Sequence, residues 1–190
     1  MTTDTAVLTP AARRILATAS ELFYHRGIGA VGVDLIAAES GVTKKTIYDR
    51  FGSKENLIVA YLRERDTRWR AVVERHVAAA GGPREAVVAV FDALEEWTRT
   101  AGERGCALIN ARAELATPEH PVRALAAEEK QWLLARFTAL LEAAGAADPE
   151  GDAVELLLLH EGAIVMHDVG EVPSAITRAR EAARRLIDRA

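Results

Sequence analysis

Residues 33–57 read VDLIAAESGVTKKTIYDRFGSKENL, and this stretch decides the fold. Two short helical patterns, about Val33 to Glu39 and Thr43 to Asp49, flank Gly41. Two helices that cross steeply through a tight turn need three things. They need a small residue where the backbones approach, a turn residue that tolerates positive φ, and an apolar anchor under the second helix. Ala37, Gly41 and Ile47 supply these in that order, and Ile36 and Val42 fill the remaining core. The pattern predicts a helix-turn-helix.

The second helix keeps polar groups for its exposed tip. Thr43 can cap it, and Lys44, Lys45 and Thr46 follow. Inserted end-on into a major groove, lysines reach guanine acceptors or phosphates, and threonines meet a base edge or a thymine methyl. Tyr48 adds a hydroxyl one turn on. The next helix opens at Ser53-Lys54, where free amides and the Lys54 ammonium together form a candidate phosphate clamp. The candidate contacts to double-stranded DNA are therefore Thr43, Lys44, Lys45, Thr46, Tyr48 and Lys54.

The stretch from Gly27 to Leu57 resembles the DNA-binding region of the TetR family of regulators. The match is carried by Ile36-Ala37, Gly41-Val42, the run from Thr43 to Tyr48, and the run from Phe51 to Leu57. The resemblance implies a homodimer of all-α subunits, with three N-terminal helices on DNA and about six in a ligand-binding and dimerising domain. It also implies a palindromic operator and repression relieved by a small molecule. Two positions depart from the family pattern. Val31-Gly32 stand where a threonine commonly opens the first motif helix, which removes one expected phosphate contact. Lys45 stands where glycine is frequent, which adds charge near the groove.

Outward from the motif, nearly everything reads as helix, and no segment alternates with period two over a strand length. Thr9-Pro10 pairs a cap with proline at the first helical position, opening a helix that ends near Gly27. A long helix from Lys54 to about Ala79 carries Leu57, Ile58, Tyr61, Leu62, Trp69, Val72 and Val73 inward. Gly81-Gly82-Pro83 breaks the chain, and further helices are predicted at about 84–101, 104–116, 122–144, 150–168 and 174–189. The expected architecture is all-α with about nine helices, divided into a helix-turn-helix domain at 1–53 and a helical ligand-binding and dimerisation domain at 54–190.

Bulk properties agree with a front end that meets phosphate and a back end that does not. The net charge is −4, yet residues 1–80 carry +3 and the remainder −7. No apolar run approaches the ~18 residues of a membrane span, and the N-terminus lacks a basic-then-apolar leader, so no membrane partner is expected. The single cysteine, Cys106, excludes an intramolecular disulfide, and a cytoplasmic protein is expected.

The helix at 150–168 is apolar on several faces, so both sides must be covered, one by its own subunit and one by a partner copy. The candidate dimer residues are Leu157, Leu158, Val165, Ala179, Ala183 and Leu186. Trp97, Cys106, Asn110, Trp132, Phe137 and His160 mix apolar walls with a few polar groups and are candidate lining for a small-molecule ligand, although each also reads singly as core packing. His160 and His167 share a helix face without the HExxH spacing of a zinc site, and neither metal nor cofactor is expected. Arg178, Arg180, Arg184, Arg185 and Arg189 read as a solvated basic face. A helical enzyme is disfavoured by the lack of a nucleophile motif, metal triad or phosphate-binding glycine loop. A partner-binding adaptor without specific DNA recognition is the alternative.

Overall fold

The computed structural model describes residues 8–101, 104–115, 117 and 119–188. Nine α-helices occur among them: α1 (Pro10–Arg26), α2 (Val33–Ser40), α3 (Lys44–Phe51), α4 (Lys54–Ala78), α5 (Pro83–Ala101), α6 (Ala107–Glu114), α7 (Pro121–Ala144), α8 (Pro149–Asp168) and α9 (Ala175–Ile187). Among the described residues there is no strand, and no helix is long and apolar enough to cross a membrane. The fold is all-α, as the sequence implies.

Local chemistry places the ends. The Thr9 hydroxyl accepts from the Ala12 amide, and Pro10 occupies the first position of α1. Asp148 caps α8 through the Gly151 amide, ahead of Pro149. The α6 helix is shorter than the 104–116 span expected from sequence. Gly105 adopts φ +63°, a left-handed conformation that ends helical continuity before Ala107. Residues 116, 118 and 189, the last being the arginine in the predicted basic face, lie outside the described residues.

The chain forms two compact units. The first comprises the chain up to Glu64 together with Ala107–Val122; the second comprises Arg65–Cys106 with the chain from Arg123 onward. The first compact unit runs past the expected 53/54 boundary to Glu64 and takes in α6. The core of the first unit gathers Ile15, Leu16, Ala19, Leu22 and Phe23 from α1, Ile36 and Ala37 from α2, Ile47 from α3, and Leu57, Ile58, Tyr61 and Leu62 from α4. The α2, α3 and α4 members are the inward residues read from sequence.

In the second unit the helix buried nearly all round is α5, where Ala86 to Phe91 are consecutively buried along with Ala93 and Leu94. Helix α9 packs along α5 and α8, and the Arg180 guanidinium bridges to Asp92 at 2.7 Å and Glu95 at 3.1 Å. Helix α8 buries Ala153, Leu156, His160 and Ala163 on one face and leaves apolar residues exposed on the other.

Candidate nucleic-acid interface

Helix α2 ends in a Schellman turn. The Val42 amide donates to the Ala37 carbonyl at 3.1 Å and the Gly41 amide to Ala38 at 3.3 Å, with Gly41 at φ +65°, ψ 35°. That turn redirects the chain so that Ile47, fully buried, anchors α3 from below. The opposite face of α3 is in solvent.

Thr43 is the N-cap of α3. Its Oγ1 accepts from the Thr46 amide at 3.1 Å and lies 2.9 Å from the Thr46 hydroxyl. The two threonines thus brace each other at the tip. Lys44 and Lys45 project beyond them, each beside an acid: Lys44 Nζ is 2.5 Å from Asp34 Oδ1 on α2, and Lys45 Nζ is 2.8 Å from Asp49 Oδ2 one turn along α3. Exposed pairs of this kind contribute little stability and exchange readily for a phosphate. Tyr48 is 47% exposed on the same helix. The structure therefore brings Thr43, Lys44, Lys45, Thr46 and Tyr48 to one solvent-facing end and flank of α3. At the start of α2, Gly32 provides no side-chain cap, in keeping with the departure seen in sequence.

Lys54 departs from its expected role. Its ammonium donates to the Ile28 carbonyl at 2.8 Å and sits 5.9 Å from the centre of the Phe23 ring. Burial holds it below the usual lysine range, while the nearby Glu114 carboxylate draws it back up. A lysine committed to a loop carbonyl is not a free phosphate clamp. What remains at this helix start is the backbone, with Ser53 Oγ accepting from the Asn56 amide at 3.0 Å and the Asn56 side chain donating to the Phe51 carbonyl at 2.9 Å. Sequence reasoning missed Glu114, which accepts from the Gly29 amide at 2.7 Å across 85 positions of chain, a separation no local pattern spans. It also missed Asp34 and Asp49; the Lys45–Asp49 spacing of four was a legible signal for the second.

Five of the six candidate ligand residues, all but Asn110, belong to the second unit. Phe137 and His160 share the core of the second unit, ring centres 6.4 Å apart, and Trp69 joins His160 to Trp97 with centre distances of 5.6 Å each. Trp132 packs against the same core and lies under the Arg70 guanidinium at 4.7 Å. Asn110 belongs to the first unit and is exposed. Cys106 Sγ lies 3.8 Å from Lys130 Nζ in a partly buried ionic cluster.

In that cluster Lys130 reaches Glu161 and Glu129 at 2.8 Å each, the Glu129 contact being an ion pair without hydrogen-bond alignment. Burial pushes the Glu161 carboxyl up, but the His160 hydrogen bond and the Lys130 ammonium outweigh it and hold the group at about 2. Burial likewise opposes the Lys130 charge, yet Cys106, Glu129 and Glu161 together raise it above the usual lysine range. His160 is 1% exposed; its Nδ1 meets Glu161 at 3.2 Å and its Nε2 has no hydrogen-bond partner. Among the described residues no group of three His, Cys, Asp or Glu side chains is placed to hold a metal.

Of the candidate dimer residues, Ala179 and Ala183 are buried in the core of their own subunit, so their side chains cannot face a partner. Leu157 and Leu186 are half-buried, while Leu158 and Val165 are exposed. The exposed pair continues into Val154, Met166 and Val169, an apolar stripe along and just beyond α8 in which Leu158 is 68% exposed.

A profile of the family described as "Bacterial regulatory proteins, tetR family" matches residues 15–61, which encloses α2, α3 and their turn. A solved TetR-family transcriptional regulator from Streptomyces coelicolor is similar at 33% identity over 94% of this chain and 94% of its own, with a TM-score of 0.87. A solved TetR-type regulator from Streptomyces avermitilis is similar at 31% identity over 93% of this chain and 98% of its own, with a TM-score of 0.74. The HTH-type transcriptional activator FasR of Mycolicibacterium smegmatis is 35% identical over 86 residues, a stretch that spans 43% of this chain and 39% of that relative's length. With the helix-turn-helix geometry and whole-chain similarity in agreement, the chain belongs to the TetR family of transcriptional regulators, with a DNA-binding N-terminal domain.

Proposed function

We propose that this protein is a homodimeric, ligand-responsive repressor that reads a palindromic operator through α3 of each subunit. The observation that carries this reading is the solvent-facing tip from Thr43 to Thr46, with Lys44 and Lys45, standing over a fully buried Ile47. In this reading the lysines and threonines address base edges and flanking phosphates, and Tyr48 addresses the backbone. The exposed apolar stripe of Val154, Leu158, Val165, Met166 and Val169 supports a two-fold contact between copies, which would space two reading helices by one DNA turn, ~34 Å. The aromatic and ionic interior around His160, Trp69, Phe137 and Lys130 is the proposed sensing region. A ligand there changes DNA affinity only so far as it binds one state of the protein better than the other.

Genomic footprinting with the purified protein identifies the operator. Binding to that duplex, followed by fluorescence anisotropy over a salt series, tests the reading. Affinity is expected to fall steeply with salt and to exceed that for an unrelated duplex by at least 1,000-fold, on the order found for specific readers. Equal affinity for both duplexes favours the adaptor alternative. Reporter transcription gives the sign of regulation: expression falling on addition of the protein supports repression. A rise would align it with the activator named for the mycobacterial relative.

A further inference from the structure

One peptide group in the first unit is held by opposite charges at its two ends. The carbonyl of Ile28 accepts from the Lys54 ammonium at 2.8 Å, and the N–H of the same peptide, contributed by Gly29, donates to Glu114 Oε2 at 2.7 Å. Both bonds are charge-assisted, and both follow the peptide's own dipole: the cation faces the oxygen and the anion faces the N–H. This peptide lies between α1 and α2, immediately before the helix-turn-helix.

Three further features make the arrangement more than an incidental contact. Glu114 is the last residue of α6, where a carboxylate faces the negative end of the helix dipole, so its place there is not explained by helix stability. Gly27 adopts φ +87°, and a Cβ there would come within 3.2 Å of Glu114 Oε2; a Cβ at Gly29 would come within 3.4 Å of the same oxygen. The two glycines leave the room that the carboxylate occupies. Finally, Ala107–Val122 is the one stretch beyond Glu64 that belongs to the first unit, and the chain on either side of it belongs to the second.

We propose that Glu114 is a positioning residue for DNA recognition: with Lys54 it clamps the Ile28–Gly29 peptide and thereby sets the angle at which α2 and α3 present the Thr43-to-Thr46 tip. All the residues of the clamp belong to the first unit. The inference rests on the DNA-reading function proposed above. It assigns Lys54 to the loop and not to phosphate.

The test uses the full-length protein, the footprinted operator duplex and an unrelated duplex of equal length, with thermal melts by circular dichroism confirming the fold. Glu114→Ala is expected to weaken operator binding at least tenfold while changing binding to the unrelated duplex less than twofold. Glu114→Gln, which keeps an acceptor for Gly29 but loses the charge, is expected to recover part of that loss. It carries the test if the alanine variant does not fold. Lys54→Met is expected to match Glu114→Ala, to add nothing when combined with it, and to leave the salt slope unchanged. A lysine lost from phosphate would instead lower that slope by about 0.9. A selective loss below tenfold in Glu114→Ala, parallel losses on both duplexes, or a glutamine variant indistinguishable from wild type overturns the clamp. Wild-type protein that yields no footprint, or binds both duplexes equally, instead refutes the functional reading itself.

Discussion

The Lys44 ammonium lies 2.5 Å from the Asp34 carboxylate, so the first lysine of the reading helix is restrained by an acid from the helix before it. Both groups are largely exposed, and the pair competes directly with a DNA phosphate for the same charge. Asp34→Asn frees Lys44 and removes a negative charge from the DNA-facing surface. Affinity for operator and unrelated DNA alike should rise by roughly two- to fivefold at low salt, with the gain fading as screening increases. An affinity titration at two ionic strengths checks it.

The turn between α2 and α3 makes a separate claim about the backbone. Nothing lies within 4 Å of a Cβ built on Gly41, so a side chain there meets open space and the cost is conformational alone, at φ +65°. Gly41→Ala should destabilise the protein by roughly 1–2 kcal/mol, the penalty of a left-handed residue with a Cβ. Urea unfolding of the variant reads this value.

The half-buried Lys130–Glu161 pair sets an acid limit. The folded Glu161 carboxyl sits at about 2, below its ordinary 4.5, so the native state holds the proton more weakly than the unfolded chain. Its contribution is fully present above about pH 4.5 and is lost as pH falls toward 2, amounting to on the order of 3 kcal/mol for the group. Glu161→Gln should remove this dependence and flatten the stability profile between pH 5 and about 3. Lys130 has the opposite sign: its raised affinity for protons stabilises the fold below its ordinary range and is lost only at strongly alkaline pH. Denaturant midpoints measured across pH test both signs.

Leu158 is 68% exposed at the middle of the apolar stripe on α8. Leu158→Glu removes little packing within the chain, so the melting of the monomer should change little. In the proposed dimer the same change would place two carboxylates opposite each other across the two-fold axis in an apolar contact. Sedimentation should show a shift toward monomer, and operator affinity should fall on the order of 100-fold as the second reading head is lost. A variant that remains dimeric with unchanged affinity points to a different face.

The sequence by itself determined the helices and the motif. Their information is local: caps such as Thr9, Thr43 and Asp148 satisfy amides three residues on, Gly41 admits the left-handed turn, and the apolar stripes repeat at the helical period. The core of the first unit, from Ile15 to Leu62, was legible for the same reason. Tertiary structure alone decided which partner each polar group takes. Lys54 turned from phosphate to the Ile28 carbonyl, Glu114 reached Gly29 across 85 positions, and Ala179 and Ala183 sank into the core of the second unit. Helical periodicity names the face a residue occupies, but not which distant element covers that face. That choice is made by packing the whole chain, where burial and pairing of charges are settled together.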